Sequence, residues 1–258
     1  MAITIGIPST SFFYPVADRL NASGLVKVVP GSSPDIARQL RERQVDAAII
    51  SPIDFGRECS EYFVIRNGMV VSSSSTNTIT LHFQSSLHTI STIAVQPAAV
   101  SEIVLTRILL AEEFDLTPSF VPMEGSLSEM LGRADGALLT GGASLMADHE
   151  NRLDLVEAWN ELTGLPLVHG ILCTRENSIP ETQLSAIASV LISASVPEGD
   201  PESIRYRSSF DCKSDDEAVQ ALREFLHYAY YHGILPDVGE IRILPIQESG
   251  EQVSFSTN

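Results

Sequence analysis

Cysteine is scarce: Cys59, Cys173 and Cys212 are odd in number and far apart, which excludes a disulfide framework and any CxxC metal or redox motif. Basic residues are also few, 16 against 33 acidic, for a formal net charge of -17. A field of that sign repels phosphate backbones and anionic lipid, so neither nucleic acid nor a membrane is an expected partner. A small anion is still admissible, because a local set of N–H donors outweighs a distant field. No apolar run reaches membrane-spanning length, and Met1-Ala2-Ile3-Thr4 lacks the basic start of a secretory leader. The expectation is a cytoplasmic protein in a reducing compartment, provided no cleaved leader precedes it. No GxSxG, Walker A, HExxH or strand-linked GxGxxG pattern occurs. The glycines from 136 to 142 have no basic neighbour for a phosphate, so nucleotide binding is not expected. The six histidines show no metal-ligand spacing, and each reads as a surface or satisfied core residue.

What is present is an ordinary globular composition, 44% hydrophobic and 19% charged, in a chain long enough for two modest lobes. The stretch Asp46-Ala47-Ala48-Ile49-Ile50-Ser51 is nearly repeated at Asp135-Gly136-Ala137-Leu138-Leu139-Thr140. Each is a short apolar run between turn signals, the pattern of a strand buried on both faces, with a hydroxyl at its carboxyl end. Strands alternating with helices fit an α/β fold. Expected helices include one opened by Pro15 and stopped near Gly24, one capped by Ser33 with Pro34 at its first position, and residues 98–113, 180–193 and 216–232. Residues 62–65, 69–71, 78–83, 153–159, 167–173 and 241–246 read as extended. Ser72 to Ser75 reads as a surface loop. Antiparallel-looking segments suggest two crossings between lobes, giving residues 1–87 plus 171–258 as one lobe and 88–170 as an inserted one.

Ligands in open α/β sheets bind beyond the carboxyl ends of the strands. That places Ser9, Thr10, Ser11, Ser51, Thr140 and Gly141 around a shared cleft as hydroxyl and N–H donors suited to a carboxylate. Phe12, Phe13 and Tyr14 would supply apolar or stacking walls. No residue stands out as acid or base.

Ile5-Gly6 followed by Pro15, the 45–55 stretch, Thr106-Arg107-Ile108-Leu109-Leu110, the 134–141 stretch and the segment 157–168 (EAWNELTGLPLV) together resemble the chorismate dehydratase family of the futalosine route to menaquinone. The resemblance implies a two-lobe fold like type 2 periplasmic solute-binding proteins, with mixed sheets and a central cleft. It implies a lyase that removes water from chorismate to give 3-[(1-carboxyvinyl)oxy]benzoate with no metal or organic cofactor. It also places Ser101, near a helix start that would hold a carboxylate, among the substrate-binding residues. Three positions depart from the family pattern: Phe12 stands where the family carries an asparagine important for turnover, Glu102 adds a charge at the helix start, and Gly142 replaces an aspartate. Two other functions fit the same fold, a paralogue that binds or converts another aromatic or cyclic carboxylate and a transporter's solute receptor.

Overall fold

The computed structural model describes residues 2–97, 99–192 and 209–244. In chain order the strands are β1 (Ile3–Pro8), β2 (Val26–Gly31), β3 (Ala47–Ile50), β4 (Phe63–Ser72), β5 (Ile79–Phe83), β6 (Thr92–Val95), β7 (Ser119–Pro122), β8 (Gly136–Thr140), β9 (Arg152–Asp154), β10 (Leu167–Thr174) and β11 (Asp211–Lys213). The helices are α1 (Tyr14–Ser23), α2 (Ser33–Arg41), α3 (Pro52–Arg57), α4 (Val100–Phe114), α5 (Leu127–Leu131), α6 (Gly142–Leu145), α7 (Leu155–Thr163), α8 (Glu181–Leu191) and α9 (Asp216–Tyr231). Two mixed sheets result, ordered β11-β4-β10-β3-β1-β2 and β7-β6-β8-β5-β9.

The repeated stretches occupy equivalent places. β1 lies parallel between β2 and β3, and β6 lies parallel between β7 and β8. The next neighbour is antiparallel in both sheets, β10 beside β3 and β5 beside β8. The aspartate that opens each repeat does the same work. Asp46 Oδ2 accepts from Thr4 N at 2.7 Å and Thr4 Oγ1 at 2.8 Å, at the start of β1. Asp135 Oδ2 accepts from the N–H and hydroxyl groups of Ser91 and Thr92, at 2.6 to 3.0 Å, at the start of β6. Each carboxylate ties the amino ends of two parallel strands together, which leaves their carboxyl ends facing the cleft.

The chain changes sheet between Ser72 and Ile79 and again between Asp154 and Leu167, so β5 belongs with the second sheet and β10 with the first. Both points lie upstream of the lobe limits expected at residues 87 and 171. Asp154 joins the two crossings. One of its oxygens accepts from Ser75 Oγ, Thr76 N and Asn77 N in the first, and the other caps α7 in the second.

Several local expectations are corrected. Residues 153–159 are not extended: only Arg152–Asp154 is strand, and α7 follows. Their apolar residues satisfy either period, but the Asp154 cap and Gly164 in the left-handed conformation (φ 69°) select the helix, whose buried face carries Leu155, Val156, Ala158 and Trp159. Ser32, not Ser33, caps α2. Residues 62–65 and 69–71 merge into the ten-residue β4, which makes room for Asn67 at φ 60°. The expected last strand reduces to a bridge between Ile243 and Val64, and residues 245 and 246 lie outside the described residues, as do Ala98 and Ser193 at expected helix ends. β11 was not expected.

The main core runs through both lobes, and a smaller separate cluster around Ala94, Met130 and Leu139 packs α5 on the second sheet. Trp159 is fully buried, donates from Nε1 to the Pro166 carbonyl at 3.1 Å, and packs edge-on against Phe225 and Tyr228 of α9. The second crossing is thereby anchored to the closing helix. No helix among the described residues is long and apolar enough to cross a membrane.

Candidate functional site between the lobes

The loop after β1 turns through a short 3-10 segment, Ser11–Phe13, into α1. Its partner across the cleft is the turn after β8. Gly141 there has φ 59° and ψ −134°, and a Cβ on it would lie 2.7 Å from Ser11 Oγ. Only glycine allows both the backbone angle and this contact between loops of different lobes.

Three adjoining cavities open along this line. The inner one, of ≈ 140 Å³, is lined by Thr10, Ser51, Arg57 and His169 from the first lobe and by Ser101 and Glu102 from the start of α4. The outer one, of ≈ 450 Å³, is lined by Ser9, Thr10, Ser32, Gln96, Glu102 and Thr140. The third is small and apolar, where Leu105 and Phe225 meet Ser101, Glu102 and His169. Glu102 lines all three.

The amino end of α4 is open. Its N-cap Ala99 provides no side-chain hydrogen bond; the Glu102 N–H is taken by its own carboxylate and the Ile103 N–H by the Ala99 carbonyl, while Val100 and Ser101 line the inner cavity at the positive end of the helix dipole. Ser101 Oγ, Ser11 Oγ and His169 Nδ1 are buried without a hydrogen-bond partner. Desolvation pushes the Glu102 carboxyl up to about 7 and holds the His169 ring down at about 3. Near neutral pH the carboxyl therefore exchanges its proton readily, while the imidazole stays uncharged. Arg57 brings a cationic side chain to the inner cavity and pairs at 3.4 Å with Asp54. Among the described residues no cluster of His, Cys, Asp or Glu could hold a metal ion.

The residues singled out from sequence fall into three groups. Ser9, Thr10, Ser51, Ser101 and Thr140 line the cavities. Ser51 spends its hydroxyl locally, accepting from Asp54 N at 3.1 Å and donating to Asp54 Oδ2 at 2.7 Å as the cap of α3. Ser11 and Gly141 form the contact between loops. Phe12 and Tyr14 line none of the three cavities: Phe12 is buried against Phe13, His169 and Phe210, and Tyr14 is 49% exposed at the start of α1. Ser72 is not a surface-loop residue; it ends β4, buried, with its hydroxyl on His169. Sequence reasoning missed Arg57, Gln96 and His169. The signal for His169 was available, since it is the one titratable side chain in the otherwise apolar run from Leu167 to Leu172.

Comparison with known proteins agrees with this architecture. An Archaeoglobus fulgidus protein superposes with a TM-score of 0.68 at 13% identity, over 90% of this chain and 98% of that one. An ABC transporter protein from Parabacteroides distasonis gives 0.67 at 15% identity, covering 96% and 99%. The periplasmic aliphatic sulphonate binding protein SsuA from Escherichia coli gives 0.61 at 14% identity, covering 99% and 96%. At such identities the likeness is one of fold, the two-lobe periplasmic-binding-protein fold. The profile of the family described as "Menaquinone biosynthesis" matches residues 3–204, which takes in every strand but the edge strand β11, both crossings and the cleft loops. The chain belongs to this menaquinone-biosynthesis family, the chorismate dehydratase family, and carries it on a periplasmic-binding-protein-like fold.

Proposed function

We propose that the protein is a chorismate dehydratase-like lyase, converting chorismate to 3-[(1-carboxyvinyl)oxy]benzoate and water in menaquinone biosynthesis. The observation that carries the reading is the family match over residues 3–204, which includes every residue lining the three cavities except Phe225 of α9. In this reaction a ring C–H proton is lost, its electron pair forms the new double bond, and the neighbouring C–O bond breaks. Aromatisation supplies the driving force, so the protein's part is to hold the ring, move one proton and exclude water.

The cleft has groups for each part. The N–H groups at the start of α4, with Ser101, suit one carboxylate of the substrate. Arg57 offsets charge at the other side of the inner cavity. Glu102 is the group whose proton exchanges near neutrality: as carboxylate it takes the ring proton, and it returns that proton to the departing hydroxide, so that water leaves and Glu102 is regenerated. The position of Glu102 beside an anionic substrate raises its pKa further, so the activity rises with pH through an apparent pKa at or above 7.

The test is to incubate purified protein with chorismate and follow the enolpyruvyl benzoate by chromatography. Turnover is expected, and Glu102→Gln is expected to lower kcat by about 10²-fold or more and to remove the pH limb near 7. No product from the wild-type protein, with active relatives as controls, rejects the assignment. A ligand-induced rise in Tm without product identifies a carboxylate binder instead.

A further inference from the structure

Two histidines are fully or nearly fully buried, and both are held neutral by burial. His82 sits in the second lobe, its Nε2 2.8 Å from Thr80 Oγ1, which continues to Ser144 Oγ at 2.6 Å. It lines none of the three cavities. His169 lines two of them.

The local structure is built to place that ring. β10 pairs with β4, and the register shifts between Val168 and Gly170, so His169 is the extra residue of a bulge. A bulge of this kind turns one side chain out of the strand's alternation. The ring lies 5.1 Å from Phe12 and 5.0 Å from Phe210. Its Nε2 is 2.6 Å from Ser72 Oγ. Gly170 lets the strand close on the Phe13 ring, which a Cβ would meet at 2.7 Å. After all this, Nδ1 has no partner, and neither has Ser101 Oγ across the same cavities. A buried polar atom left unpaired is costly, and a cleft repays that cost when a ligand supplies the partner.

The tautomer of the ring follows from the direction of the bond to Ser72. His169 is the hydrogen-bond partner of the Ser72 hydroxyl, and a neutral imidazole carries one proton. If Ser72 donates into Nε2, the ring proton resides on Nδ1, the unpartnered atom. We infer that His169 is a substrate-binding residue whose Nδ1–H donates to an oxygen of the organic acid in the cleft, and that Ser72 is the positioning residue that fixes this tautomer. The inference rests on the reading that the cleft holds a chorismate-like acid. A neutral donor adds no charge, so it selects for the position of a carboxylate or ether oxygen rather than for anions in general.

Two measurements on the full chain test it. The first is the ¹⁵N-resolved tautomer of His169 by NMR, without and with chorismate. The Nδ1–H form is expected, with a change in its resonance on ligand addition and a loss of the preference in Ser72→Ala that Ser72→Thr restores. An Nε2–H ring, or a resonance that chorismate leaves unmoved, overturns the inference. The second is chorismate affinity and kcat/KM for His169→Phe, which keeps an aromatic ring between Phe12 and Phe210, and for His169→Gln, which keeps a donor. His169→Phe is expected to weaken both by about tenfold and His169→Gln by less, with melting temperatures confirming that both fold. Unchanged affinity in His169→Phe overturns the inference while wild-type turnover stands. Binding without turnover in the wild type removes the dehydratase assignment and leaves His169 to be judged by affinity. A wild-type protein that does not bind chorismate overturns both.

Discussion

The two aspartates that open the repeats show how one residue type can set up a lobe. Asp135 collects four donors from Ser91 and Thr92, and these hold its carboxyl at about 2, below its ordinary value of 3.8. A carboxylate whose pKa is lower in the folded protein stabilises the fold fully above its unfolded pKa, and that contribution is lost as pH falls through the folded value. Asp135→Ala is therefore expected to lower Tm by about 2–4 °C at pH 6, a modest figure for a partly exposed group. The deficit should shrink between pH 4 and pH 2, as calorimetry of both proteins across that range would show. The repeat itself was legible in sequence because a buried parallel strand must be a short apolar run with a polar stop. The structural role of its aspartate was not, because the donors at residues 91 and 92 are 43 or more positions away. The same distance hid the role of His169: its place in an apolar strand marks it in the sequence, but its partner Ser72 lies 97 residues away.

At the scale of elements, the two crossings matter most, and both depend on Asp154. This buried side chain accepts five hydrogen bonds, three from residues 75–77 and two from the first turn of α7. Asp154→Ala leaves those donors unpaired and is expected to cost about 3 kcal/mol or more, a fall in Tm of about 6–12 °C by thermal melting. A loss below about 1 kcal/mol would mean that the crossings are not tied together in this way. Segments whose ends are marked by strong local chemistry were readable: Pro15 and Gly24 bound α1, and the apolar stripe of α4 gave its length. Residues 153–159 were misread because an apolar spacing compatible with both a strand and a helix is decided by caps, and the cap here is shared with a distant loop. β11 could not be read at all, since three residues at a sheet edge carry no periodicity.

For the whole molecule, a net charge of -17 surrounds a cleft proposed to receive a dianion. Long-range repulsion slows encounter, and salt with a screening length of about 10 Å at 0.1 M relieves it. The value of kcat/KM for chorismate is therefore expected to rise severalfold from 10 to 200 mM salt in steady-state assays, at concentrations well below KM. A fall over that range would place a dominant cationic surface at the cleft mouth, contrary to the composition of its lining. The architecture as a whole was legible from sequence because two copies of one sheet pattern leave two copies of one signature, while the cleft was legible only as strand ends. Which hydroxyls are free and which are spent on caps, as Ser51 is, depends on how the lobes meet.

The central claim is that loops of both lobes enclose one small organic acid. Hydrogen–deuterium exchange with and without excess chorismate measures this most directly. The account predicts joint protection of residues 9–13 in the first lobe and of residues 99–103 and 140–142 in the second, since these segments line or close the same cavities. Protection confined to one lobe, or appearing only on surfaces away from these loops, would contradict it.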